Sequence, residues 1–118
     1  MTSSKPSASP GVVVVPEKKA SASTPEPGLR RRILAFNDKL MLAEHVMEKG
    51  WKGARHSHPH EQLVYVISGH IKVSAGDKSF ECRAGDSFVV PGGMEHEAAA
   101  VERSVVLDVF TPSREEYR

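Results

Sequence analysis

The sequence predicts a single all-β domain folded as a sandwich or barrel, and three observations carry that expectation. Its apolar residues come in short runs, and those runs are separated by Gly, Pro, Asn and Asp at roughly 8 to 12-residue intervals. A chain of 118 residues also leaves no length for a second hydrophobic core.

Residues 1–28 are dense in Ser, Pro, Ala and Lys, a composition that buries too little apolar surface to offset backbone ordering. A disordered tail is expected there, ahead of a folded domain at 29–118. The valine quartet 12–15 stands out within the tail. It suits either an edge strand, added to the barrel or to a partner subunit, or an unpaired extended segment. Strands are then expected at 33–36, 40–47, 62–68, 71–75, 87–90 and 105–110. Reversals are expected at Gly69, Gly76, Gly85 and Pro91-Gly92-Gly93, where a hairpin needs positive φ or a tight turn. The one helical element expected is a turn within 112–117.

Sixteen basic against 15 acidic residues leave a net charge of +1, so no broad field draws in nucleic acid or an anionic membrane. The expected partner is a small molecule. No apolar run approaches the ~20 residues of a membrane helix, and the valine quartet, closed by Pro16, is too short for a secretory signal. A soluble, cytoplasmic protein is expected. Cys82 is the lone cysteine, which excludes an internal disulfide and a thiolate-rich metal cage and suits a reducing compartment. Any metal must be held by nitrogen and oxygen.

Such donors are present. Side chains alternate faces along a strand, so His56 and His58 point the same way and can converge on one ion. Gln62 has the same parity, and a fourth donor, His96, comes from a different strand. Three imidazoles and one amide oxygen leave coordination positions open on a divalent ion, as a catalytic site requires. His60 shares the parity and can replace a ligand, line the cavity mouth or hydrogen-bond behind the ligands. His45 and His70 read as ordinary barrel or turn residues.

The spacing around these donors has a familiar form. Gly50, His56-x-His58, Gln62 and Gly69 resemble the first cupin motif, and Gly85, Pro91-x-Gly93 and His96 resemble the second, with fifteen residues between Gly69 and Gly85. The resemblance implies a single-domain cupin, that is, a jelly-roll barrel or double-stranded β-helix. Gln62 stands where most cupins carry Glu, and Ala100 where the second motif often ends in Asn. A neutral amide leaves the ion its full positive charge, which disfavours redox chemistry and favours an anionic ligand or a developing oxyanion. It can also simply tune the choice of metal.

In the last strand the alternation puts Val106, Asp108 and Phe110 on one face. If that face is interior, Asp108 lies near the metal in a desolvated pocket that raises its pKa and lets it exchange a proton near neutral pH. If the phase is opposite, Asp108 is an edge charge.

The runs Arg32-Ile-Leu-Ala, Leu40-Met-Leu, His56-x-His-Pro-His-Glu-Gln62, Ala84-Gly-Asp-Ser-Phe88 and Leu107-Asp-Val-Phe-Thr-Pro-Ser-Arg114 are similar to the KdgF-type cupins. The resemblance implies a pectin-degradation isomerase that ketonises a 4,5-unsaturated uronate. It implies one divalent ion (Mn, Fe, Co, Ni or Zn) on His56, His58, Gln62 and His96, with Asp108, Phe110 and Arg114 in the active site. Asp108 would shuttle the proton, Phe110 pack on the sugar ring and Arg114 pair with its carboxylate; a surface pair between Arg114 and Glu115 or Glu116 is the alternative. Family analogy also implies a homodimer, formed through 12–15 or 33–36. The competing functions are a non-catalytic sugar-binding cupin and another metal cupin enzyme, of hydroxynitrile lyase or dioxygenase type.

Overall fold

The computed structural model describes residues 11–118. Nine strands follow in chain order: β1 (Ser21–Glu26), β2 (Leu29–Phe36), β3 (Met41–Met47), β4 (Glu61–Ser68), β5 (His70–Ala75), β6 (Lys78–Arg83), β7 (Ser87–Val90), β8 (His96–Ala100) and β9 (Ser104–Thr111). They form a six-stranded sheet in the order β1-β2-β3-β9-β4-β7 and a three-stranded sheet in the order β6-β5-β8, with every pairing antiparallel. This is the all-β jelly roll that the sequence predicts. Short 3₁₀ turns cover Glu17–Lys19 and Glu115–Tyr117.

The folded domain begins earlier than Leu29. Ser21 pairs with Ile33 and Ser23 with Arg31, so the stretch expected to be a tail supplies an edge strand. All six residues of β1 are exposed; the strand is held by its backbone ladder, which no hydrophobic pattern announces. The valine quartet 12–15 is not that strand: it pairs with nothing among the described residues, and Val12 and Val14 are exposed. Of residues 33–36, only Ile33 is paired with β1, at Ser21, and β3 lies on the other side of β2.

Alternation decides which side chains point inward. Met41, Ala43, His45 and Met47 of β3 are buried, as are Ser104, Val106, Asp108 and Phe110 of β9. The interior separates into two apolar clusters. Leu29, Met47, Val64, Val66, Ile71, Val73, Cys82, Ala100 and Val106 form the larger one, while Ile33, Met41, Ala43 and Phe110 form the smaller. Between them runs a belt of inward polar residues. Gly69 makes the tight link between β4 and β5: its φ is +95°, and a Cβ there would overlap Ser104 Oγ and the Arg103 carbonyl. That explains the last glycine of the first motif.

Candidate metal centre and its cavity

His56 and His58 do not lie on a regular strand. They occupy the extended link before β4, and His56 joins His96, the first residue of β8, through an isolated antiparallel bridge. The bridge is made of two main-chain bonds, His56 N–H to His96 O (3.0 Å) and His96 N–H to His56 O (2.8 Å). Residues that exchange both bonds carry their side chains side by side. Forty positions of sequence separation are closed this way, and the two imidazole centroids stand 4.5 Å apart. The His58 ring is 5.0 Å from that of His96 and 5.5 Å from that of His56. One nitrogen from each of the three can be chosen so that all lie within 4.8 Å of one another.

The histidines are oriented before any ion arrives. His56 Nδ1 donates to Ala54 O (3.0 Å), His58 Nδ1 to His60 O (3.0 Å) and His96 Nδ1 to Met94 O (2.9 Å). A carbonyl can only accept, so each Nδ1 carries the proton and each Nε2 keeps a free lone pair. Gln62, second residue of β4, brings Oε1 to 3.1 Å from His58 Nε2. Its Nε2 donates to Asp108 Oδ1 at 2.8 Å, which fixes the amide orientation. His58 Nε2 and Gln62 Oε1 are then two acceptors facing each other with no proton between them, an arrangement that a cation resolves. The donor set therefore fits a divalent ion with nitrogen and oxygen ligands.

Burial holds the His58 and His96 imidazoles below their ordinary pKa of 6.5, and the nearby Arg114 charge pushes both the same way. The linkage sign follows. The unfolded chain takes up protons at these rings below pH 6.5 while the folded chain resists them, so stability is full above that value and is lost as pH falls toward the depressed folded pKa values. Metal-free protein is expected to melt at a lower temperature at about pH 5.5 than at about pH 8, and the gap should narrow in His58→Asn. Equal melting temperatures across that window would contradict the argument.

Asp108 is 3% exposed and sits where the inward face of β9 meets the polar belt. Besides Gln62, it accepts a hydrogen bond from His45 Nδ1 (2.7 Å to Oδ2), and His45 Nε2 in turn accepts from Arg31 Nε at 3.0 Å. Arginine only donates, so His45 Nε2 is unprotonated and Nδ1 holds the hydrogen. The belt thus runs Arg31, His45, Asp108, Gln62 across β2, β3, β9 and β4. His45 was expected to be an ordinary barrel residue, but the structure gives it a buried bond to Asp108. The usable signal was parity with the buried Met41, Ala43 and Met47.

The belt faces a cavity of about 320 Å³ that His56, Gln62 and His96 line at one side, with Asp108, Phe110 and Arg114 also in its wall. Phe110 is buried, edge-on to His58 with centroids 6.0 Å apart. Arg114 is buried as well, and it makes the ion pair that was the alternative to substrate contact: Nε and Nη2 both donate to Glu116 Oε2 (3.0 and 2.7 Å), while Nη1 donates to the Tyr117 hydroxyl (2.8 Å). His60 does not line the cavity. Its carbonyl steadies His58, its ring packs on Phe110, and its Nδ1 is buried without a partner among the described residues. Sequence reasoning missed Arg31, Trp51 and Tyr117, all of them in the wall.

Residues 43–110 match the family described as "Cupin domain". The pectin degradation protein KdgF of Dickeya dadantii (strain 3937) is 29% identical over 92 residues, which cover 76% of this chain and 84% of that protein. The solved structure of KdgF from Halomonas sp. superposes with a TM-score of 0.83 at 30% identity, covering 90% of this chain and 100% of that one. An RmlC-like cupin from Shewanella frigidimarina NCIMB 400 gives a TM-score of 0.84 at 30% identity, covering 92% and 97%.

Proposed function

Because this chain belongs to the cupin family, on its KdgF-like side, we propose that it is a metal-dependent, non-redox enzyme that ketonises a small anionic sugar of the 4,5-unsaturated uronate class. The observation that carries the reading is the position of Asp108: a buried carboxylate one amide away from the histidine cluster, in the wall of a cavity of sugar size. His56, His58, Gln62 and His96 would hold the ion. When bound, a divalent ion supplies Lewis-acid stabilisation of negative charge developing on substrate oxygen.

The remaining work falls to the chain itself. An unsaturated uronate is a cyclic enol ether, and opening of its hemiacetal leaves an enol. Ketonisation then moves one proton from the enol oxygen to the vinyl carbon, with no oxidant or reductant consumed. Asp108 accepts that proton from the enol oxygen and delivers it to the carbon. Its two hydrogen-bond donors, Gln62 and His45, keep its position fixed while it does so. Phe110 and Tyr117 contribute ring atoms to the cavity wall and exclude water. Four neutral donors leave the ion's charge uncancelled, which favours the anion over a neutral sugar.

The test is direct. Metal-loaded protein incubated with a lyase-generated unsaturated uronate is expected to remove the vinyl proton, followed by NMR, far faster than buffer or chelator-treated protein. Decay at the buffer rate rejects the proposal.

A further inference from the structure

We infer that Arg31, rather than Arg114, holds the carboxylate of the anionic substrate; the inference rests on the proposed uronate chemistry for its ligand class and on the cavity for its geometry. Both arginines line the cavity, and both stack on the ring of Tyr117, with Cζ 3.7 Å from the centroid for Arg31 and 4.1 Å for Arg114. Their hydrogen bonding differs. Arg114 has all three nitrogens engaged, two of them on Glu116 and one on Tyr117, and its charge is matched by the Glu116 carboxylate. Arg31 uses only Nε, directed at an unprotonated His45 nitrogen, and among the described residues no carboxylate lies within ion-pair distance of it.

Two consequences follow from elementary chemistry. Among the described residues, both terminal nitrogens of Arg31 are left without a protein acceptor, and one hydrogen from each makes the parallel pair that binds a carboxylate bidentately. Two guanidinium groups packed on one ring share a single ion-paired carboxylate, Glu116, and the Asp108 carboxylate in the same wall reaches Arg31 only through the His45 ring. Glu26, the acid of β1 in the cavity wall, accepts from Trp51 Nε1 at 2.7 Å and makes no ion pair with Arg31. Tying Nε to His45 and stacking the plane on Tyr117 also fixes the direction of the fork, which lowers the entropy lost when an anion docks.

Position adds a further reason. Arg31 pairs with His45 across β2 and β3, and His45 bonds Asp108, which bonds Gln62. A carboxylate on Arg31 therefore lies at one end of the polar belt and the histidine cluster at the other, with Asp108 between them. The carbon that must gain a proton is two bonds from the carboxylate carbon, which directs it toward Asp108.

The probes are D-galacturonate and D-galactose, which differ in the carboxylate against a neutral hydroxymethyl, titrated into zinc-loaded full-length protein. The Arg31 Nε–H resonance is expected to shift saturably with galacturonate and not with galactose. Arg31→Gln should weaken galacturonate binding at least ~10-fold, as loss of a charged hydrogen-bond pair does, with zinc content unchanged, and Arg31→Lys should recover part of that loss. The inference is overturned if galacturonate binds Arg31→Gln as tightly as wild type, if the loss appears in Arg114→Gln instead, or if wild type shows no carboxylate-dependent binding. The vinyl-proton assay is independent of these readouts. Failure there with carboxylate dependence intact at Arg31 rejects the reaction and leaves the anion site standing.

Discussion

Asp108→Asn is expected to slow vinyl-proton loss by ~10²–10⁴-fold at saturating metal, the usual contribution of a positioned proton carrier, and to weaken the metal as well. The second effect comes from the hydrogen-bond pattern. Asp108 accepts from two donors, Gln62 Nε2 and His45 Nδ1. Asparagine offers one acceptor and one donor, so one of those contacts becomes donor against donor. Gln62 relieves the clash most cheaply by flipping, because His45 is held by the Arg31 Nε–H behind it. The flip turns an amide N–H toward the histidine cluster in place of Oε1. A ~10 to 100-fold loss of metal affinity is expected, the range typical of partners that orient ligands. Competition with a chelator measures the affinity, and the rate at saturating metal isolates the proton transfer. A variant with wild-type rate once metal is saturating would remove Asp108 from the chemistry.

His96→Ala is expected to abolish metal-induced stabilisation while sparing the fold. In wild type, metal at about a hundred times its dissociation constant should contribute about 2.7 kcal/mol to stability, visible as a rise in melting temperature on metal addition. The variant should show no such rise at the same concentration, and its uronate turnover should fall to the rate of chelator-treated wild type. The metal-free variant should still fold, because the link that brings His96 to His56 consists of main-chain bonds that alanine also makes. Collapse of the metal-free variant would mean that the imidazole itself is structural, and retained metal-induced stabilisation would remove it from the ligand set.

How much of this was legible in the sequence depended on the kind of interaction involved. The strand phases of β3 and β9 could be read because one face of each is buried, and the alternation of Val106, Asp108 and Phe110 carries straight into the inward row. The three histidines that the structure brings together were legible from the spacing of the two motifs. The clustering of the histidines and the register that delivers His96 needed the His56–His96 bridge, which is backbone geometry with no residue signature. Strand β1 was hidden for the same reason, having no buried side chain. Arg31 was missed because it lies on β2, ahead of both motifs, and His45 because it acts through Asp108. A motif records the groups that touch an ion or a substrate, and not those that hold them in place. For Arg114 the sequence left two readings open, and the Glu116 pair answers to the less functional of them.

The Gln62–Asp108 bond has a bearing on how this site can change over generations. A single base change in a glutamine codon gives glutamate, the residue that most cupins carry at this position. Here that step would set two carboxylates face to face at hydrogen-bond distance, where they cannot both stay ionised. On the proposed reaction, either an ion held there would lose an anionic ligand to a shared proton, or Asp108 would lose its proton-carrying role. On that reading, reaching a carboxylate-ligated cupin from this chain requires Asp108 to be replaced along with Gln62. The amide and the acid are joined as a pair, and on that reading neither position is free to change alone.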